Sequence, residues 1–212
     1  MALVSATHDE HRVSDLAALE AIYGEALPRA LTKELDYLCD HYRAYIEHSP
    51  FVVIASVGPD GTDCSPRGDP AGFVHVADAK TVLIPDRRGN NRIDTLRNIV
   101  CDPRVSLLFL IPGIGETLRI NGRADITVEP ALIERFPMNG KLPRSVIRVH
   151  VDTVYFQCQK ALARAKLWQH EAQVPRNAVP TAGAIQQALS DTPFDGAEYD
   201  RNYAEHMRKT MY

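Results

Sequence analysis

The chain has 212 residues and a formal net charge of -3 at pH 7, with 45% hydrophobic and 24% charged residues. That balance suits one globular domain with extensions and excludes a largely disordered chain. The mild acidity excludes an extended nucleic-acid surface, which is usually basic, and leaves the arginine clusters for a small anion. No apolar run approaches the roughly 20 residues a bilayer-spanning helix needs. Residues 1–12 lack the basic start and apolar stretch of a secretory signal, so a cytoplasmic location is expected. Cys39, Cys64, Cys101 and Cys158 form neither a CxxC pair nor a zinc-like spacing, which reads as reduced thiols and no metal site.

Residues 1–12 read as a loose polar arm. Ser14 is positioned to cap a helix carrying Leu16, Leu19, Ile22 and Tyr23, which Gly24 ends. A second helical pattern starts at Thr32 and runs through Leu35, Leu38, Tyr42, Tyr45 and Ile46 at the spacing of a buried stripe. From Pro50 the period changes: residues 51–57 form a compact β-branched strand, closed by the turn Gly58-Pro59-Asp60-Gly61. A second strand over residues 62–65 completes a hairpin. Pro66-Arg67-Gly68-Asp69-Pro70 then interrupts the pairing, its prolines marking a bent backbone. Phe73, Val74 and Val76 begin a further short strand before a turn at Asp78.

Residues 83–98 carry the strongest chemical signal. An apolar strand (Thr81, Val82, Leu83, Ile84) stops at Pro85, and a basic turn follows through Asp86, Arg87, Arg88, Gly89, Asn90, Asn91 and Arg92. A helix begins at Ile93, with Leu96, Ile99 and Val100 on its apolar face. The first N–H groups of a helix have no partner inside it and sit at the positive end of its dipole, so an anion is favoured there. Arginine adds planar, permanently charged donors suited to phosphate oxygens, and Gly89 allows a close turn. The same residues also read as a solvated turn between strand and helix.

Asp102-Pro103 ends that helix. Residues 104–111 form a strand whose near-continuous apolar content predicts burial on both faces. After Pro112-Gly113-Ile114-Gly115, residues 116–126 read as a strand broken at Asn121-Gly122. A short helix over residues 131–135, a strand over 146–156 and a helical or turn segment over 160–170 with the single tryptophan, Trp168, come next. Composition then shifts to proline, alanine, threonine and glutamine, with a helix at residues 182–189. The polar, aromatic tail to Tyr212 packs on the body or a partner subunit, or stays mobile. Short strands with tight turns and few helices predict a mainly β (α+β) fold, a small barrel with helical additions. The implied division is 1–49, 50–170 and 171–212.

A hairpin with Ser65-Pro66-Arg67-Gly68-Asp69 at its end, a strand leading into a basic turn, a helix ending in Asp-Pro-Arg-Val-Ser-Leu-Leu-Phe, then Asn-Gly-Arg-Ala and Leu167-Trp168 resemble the pyridoxamine 5'-phosphate oxidase-like flavoproteins. The resemblance covers residues 50–168 and is nearest to a bacterial branch of FMN-dependent enzymes. It implies an FMN-binding split β-barrel that forms a homodimer with FMN at the subunit interface. By that resemblance Arg67, beside Ser65, reaches the flavin or its phosphate. The backbone at Pro85 and Asp86 faces the isoalloxazine ring, and Asn91 and Arg92 match the basic pair on the phosphate. Thr117 meets the polar edge of the ring, while Lys160 and Trp168 match a late segment from the other subunit. Asn91 stands where the vitamin oxidases have arginine, so Arg87 or Arg88 is the candidate for the missing charge. The terminal substrate-binding segment of the true vitamin oxidase has no match, so vitamin B6 oxidation does not follow.

The functional expectation is an FMN-dependent oxidoreductase acting on an unidentified small molecule, with a non-catalytic flavin carrier as alternative. A further alternative is the same barrel around a deazaflavin or a haem, though no clear axial ligand stands out. A basic group at the polar edge of the ring favours the anionic reduced flavin, with Arg67 and Arg119 as candidates and Lys160 behind them. Arg119 reads equally as the partner of an acidic neighbour, and Trp168 as a core or interface anchor. His48, His75, His150 and His170 share no spacing that suggests a ligand or proton shuttle. The pairs Glu34/Asp36 and Asp9/Glu10 read as solvated carboxylates.

Overall fold

The computed structural model describes residues 11–211 and divides into two compact units, one up to Glu34 and one from Leu35 onward. The pair Asp9/Glu10, most of the expected N-terminal arm and Tyr212 lie outside the described residues. In the first unit, helix α1 (Leu16–Tyr23) is capped by Asp15, not Ser14: its carboxylate accepts the Ala18 N–H at 2.9 Å. Gly24, at φ 66°, ends it. A single turn, α2 (Pro28–Leu31), starts on proline and closes at Thr32, so Thr32 ends a helix where the pattern predicted a start.

The second unit begins with Leu35 bonded to Val154: each backbone N–H donates to the other's carbonyl, at 3.0 and 2.8 Å. That pairing, with the Leu38 N–H donating to the Ala79 carbonyl at 2.7 Å, keeps residues 35–38 out of the expected helix. Helix α3 (Asp40–His48) starts only afterwards. Its Tyr42 and Ile46 join Leu38 in the core, so α3 belongs with the sheet instead of with an extension ending at residue 49.

The strands are β1 (Phe51–Gly58), β2 (Gly61–Gly68), β3 (His75–Asp78) and β4 (Thr81–Asp86), then after helix α4 (Asp94–Cys101) β5 (Arg104–Leu110) and β6 (Thr117–Thr127). A one-turn helix α5 (Pro130–Ile133) precedes β7 (Ser145–Gln157). All pairings are antiparallel in one sheet of order β2-β1-β5-β6-β7-β4-β3. Helices α6 (Lys160–Ala165), α7 (Ala182–Leu189) and α8 (Gly196–Thr210) follow. This is the α+β architecture that the strand and turn pattern predicts, consistent with the split barrel that the family resemblance implies.

Three differences from the sequence expectation have clear physical causes. Strand β2 continues through Pro66 and Arg67, paired with Val53 and Val52, because β2 is an edge strand and Pro66 needs no N–H on its open side. Strand β5 buries Val105, Leu107 and Phe109 while Ser106, Leu108 and Leu110 are only half-buried, since one face of the sheet packs on the core. Strand β6 is unbroken at Asn121-Gly122; β7 takes up an extra residue, Asp152, between the partners of those two positions. A 15-residue helix in the tail, α8, was not legible as such. It packs against α7 where Gly183 and Gly196 meet so closely that a Cβ on either would strike the other's carbonyl.

Among the described residues, no helix is long and apolar enough to cross a membrane, and no His, Cys, Asp or Glu group could hold a metal ion. At the β6–β7 irregularity, a Cβ on Gly122 would overlap the His150 carbonyl oxygen, a backbone atom held in the sheet. Gly122→Ala is expected to destabilise the protein by about 1–3 kcal/mol, the usual cost of overpacking. Thermal denaturation checks this, and an unchanged midpoint would contradict it.

Candidate functional site

In sheet order β2 is first and β4 sixth, yet Arg67 Nη2 of β2 stands 4.0 Å from Asp86 Oδ1 of β4. The sheet therefore curls until its β2 edge faces the end of β4. A cavity of about 560 Å³ lies along this seam, walled by the end of β2, the turn after β4, the start of α4 and the start of β7. Ser65, Arg67, Pro85, Asp86, Arg87, Arg88, Asn91 and Arg92 all line it, although they come from two separate stretches of chain.

The arginines of this cavity differ in what they are free to do. Arg67 Nη1 donates to Ser65 Oγ at 2.7 Å and to the Pro66 carbonyl at 2.9 Å, which holds the guanidinium along its own strand. Arg87 donates through Nε to Asp69 Oδ2 at 2.8 Å and through Nη1 to the Phe136 carbonyl at 2.6 Å. The Asp69 side chain is 1% exposed and that of Arg87 18%, so this is a buried structural pair. Arg92 donates through Nε to Asp94 Oδ2 at 2.7 Å on the surface of the turn. Among the described residues, Arg88 has no ion pair.

The turn itself is held in an unusual backbone. Asn91 and Ile93 both adopt left-handed conformations, at φ 62° and 54°. For the β-branched Ile93 this is a strained arrangement. It lets Ile93 start α4 with no side-chain cap, while Asp94 places its carboxylate in the first turn. Thr95 Oγ1 donates to Asp63 Oδ2 at 3.0 Å and Asn98 Nδ2 to Ser56 Oγ at 3.1 Å, fastening α4 to β2 and β1.

Residues that sequence reasoning missed include Asp63, Asp69, Thr95 and Arg144. Arg144 arrives because β4 pairs with β7, setting Asp86 opposite Ser145. Its backbone N–H donates to the Asp86 carbonyl at 3.3 Å, and its Nη1 donates to Asn91 Oδ1 at 3.0 Å.

The family model for pyridoxamine 5'-phosphate oxidase matches residues 38–158, from just before α3 to the end of β7. The chain belongs to the pyridoxamine 5'-phosphate oxidase family. No curated protein matches it. Similar solved structures include HupZ of Group A Streptococcus, at 18% identity and TM-score 0.47, covering 57% of this chain and 99% of that one. General Stress Protein 26 of Bacillus anthracis is similar at 19% identity and TM-score 0.41, over 54% and 88% of the two chains. An F420 reductase is similar at 19% identity and TM-score 0.39, over 56% and 98%.

The other residues that the family resemblance singled out lie outside this cavity. Thr117 and Arg119 project from the opposite face of the sheet from the buried Leu118 and Ile120. Among the described residues Arg119 has no acidic partner; it donates to Tyr155 Oη at 3.0 Å and Gln157 Oε1 at 2.8 Å. Lys160 opens α6, and Trp168 Nε1 donates to the Ile114 carbonyl at 2.7 Å, anchoring the segment after α6 to the turn before β6.

Burial raises the pKa of the Asp86 carboxyl above its ordinary value, against the opposing pull of Arg67 and Arg144. The folded state binds that proton more tightly than the unfolded chain. Stability is therefore lost as pH rises from the ordinary carboxylate value through the raised folded value. Asp86→Asn is expected to stabilise the protein at about pH 7 and to give no gain at about pH 3.5. Urea denaturation at both values checks this; equal or lower stability of the variant at neutral pH would contradict it.

Proposed function

We propose that the protein is an FMN-dependent oxidoreductase acting on a small molecule, working in the cytoplasm as a homodimer with FMN between the subunits. The observation that carries this reading is the seam cavity, where arginines from three parts of the chain converge beside a strand end and a turn. Its volume lies within the range of cofactor sites, and its guanidinium donors suit a phosphomonoester. In this reading the turn holding Arg88 and Arg92 binds the phosphate. The backbone at Pro85 and Asp86 orients the ring, and Arg67 sets a positive charge beside it that favours negative charge there. FMN supplies the redox chemistry when bound.

An absorbance spectrum of the purified protein, with the released ligand identified by mass, tests the cofactor. Flavin bands and the mass of FMN are expected, with reduction by NAD(P)H and reoxidation by an acceptor. A colourless protein that fails to bind added FMN would overturn the reading, and tight FMN binding without turnover would make the protein a carrier.

Support for the second subunit comes from the outer face of the sheet. Across the register Pro66–Val53–Leu108–Arg119–Tyr155, and beside it Phe51–Leu110, Val53, Leu108, Leu110 and Tyr155 stand half-buried and Pro66 and Phe51 exposed, with Arg119 among them. Such a face suits a second copy of the chain. Arg119, Lys160 and Trp168 would then complete the partner's cavity, whereas Thr117 is 5% exposed within its own chain. FMN occupancy is expected to fall on dilution as dimers dissociate, read by sedimentation at the flavin wavelength. A fully loaded monomer would exclude the shared site.

A further inference from the structure

We propose that Arg144, and not Arg87, supplies the guanidinium that this chain lacks at Asn91, and that Arg87 acts only as a positioning residue. The assignment rests on the FMN reading, because the group recognised is a phosphomonoester dianion.

Two sets of contacts carry it. Arg87 is tied in place by the protein through two of its donors: its Nε serves Asp69, whose side chain is 1% exposed, and its Nη1 serves the Phe136 carbonyl. Turning it toward a ligand would leave a buried carboxylate without its cation, an arrangement far costlier than a phosphate contact repays. Its role is to tie the turn after β4 to the segment after β2.

Arg144 is placed differently. It lines the same cavity, is exposed, and enters from the start of β7, with its backbone N–H bonded to the Asp86 carbonyl. One of its five N–H donors goes to the side-chain oxygen of Asn91 at 3.0 Å. Asn91, at φ 62° in the basic turn, therefore acts as a rest for an arginine that reaches it from more than fifty residues away in the chain. The β4–β7 pairing thus brings a further guanidinium into the cavity that Arg88 and Arg92 also line, and an anion bound there would meet the donors that Asn91 does not take.

The test compares dissociation constants for FMN and riboflavin, which differ only in the phosphate, in the wild-type protein and in Arg144→Gln, Arg144→Lys and Arg87→Gln. The wild type is expected to prefer FMN. Arg144→Gln should weaken FMN binding about 10- to 100-fold and leave riboflavin binding unchanged, with Arg144→Lys recovering part of the preference. Arg87→Gln should lower the melting temperature and weaken both flavins alike. A wild type without preference for FMN would sink the phosphate reading itself. A wild-type preference that survives in Arg144→Gln would sink only the assignment to Arg144. Selective loss of FMN in Arg87→Gln at unchanged melting temperature would return the phosphate contact to Arg87.

Discussion

The buried ion pair between Asp69 and Arg87 is the constraint on which the seam depends. Asp69 follows the edge strand β2, and Arg87 follows β4, far along the same sheet. A carboxylate taken this far out of water is tolerated only with a cation and hydrogen bonds around it. Meeting that requirement brings the two rims of the sheet together. The Phe136 carbonyl, bonded to the same guanidinium, adds the segment after α5 to the junction. The cavity, the basic turn and the approach of Arg67 to Asp86 follow from that closure.

The electrostatics of the cavity are less simple than a cationic patch. Five arginines and four aspartates line it, and two of those carboxylates are engaged by Arg87 and Arg92. Asp94 already sits at the positive end of α4, so the helix dipole is partly answered within the chain. An anion in this cavity therefore depends on guanidinium groups more than on the helix terminus. Burial of Asp86 beside Arg67 and Arg144 adds a carboxyl whose charge is costly, a cost that those two arginines oppose.

Much of the fold was legible because its signals are local. The Gly58-Pro59-Asp60-Gly61 turn marks the hairpin, Pro85 and the basic run mark the end of β4, and α7 spans the predicted residues 182–189. The tail helix α8 was missed because few of its residues are apolar. Its cap, Asp195 accepting the Glu198 N–H at 2.8 Å, and the tyrosines at 199 and 203 were the available signal. The helix expected from Thr32 failed because a backbone pairing with Val154, remote in sequence, overrode the periodicity at Leu35. Within the cavity, eight of the twelve residues predicted for the cofactor come together, and Thr117, Arg119, Lys160 and Trp168 stand elsewhere on the chain.

The sequence by itself determined the strands, the basic turn and the family, because each is written in residues close together along the chain. Only the tertiary structure decided which arginine is free to meet a ligand. Arg87 and Arg88 are neighbours of identical chemistry, yet one is held by a buried carboxylate and the other is exposed. Arg144 bears no mark of its own beyond a proline before it, and it reaches Asn91 only because β7 lies beside β4. Side-chain role in such a site is set by burial and by pairing across strands, and neither is a property of local sequence.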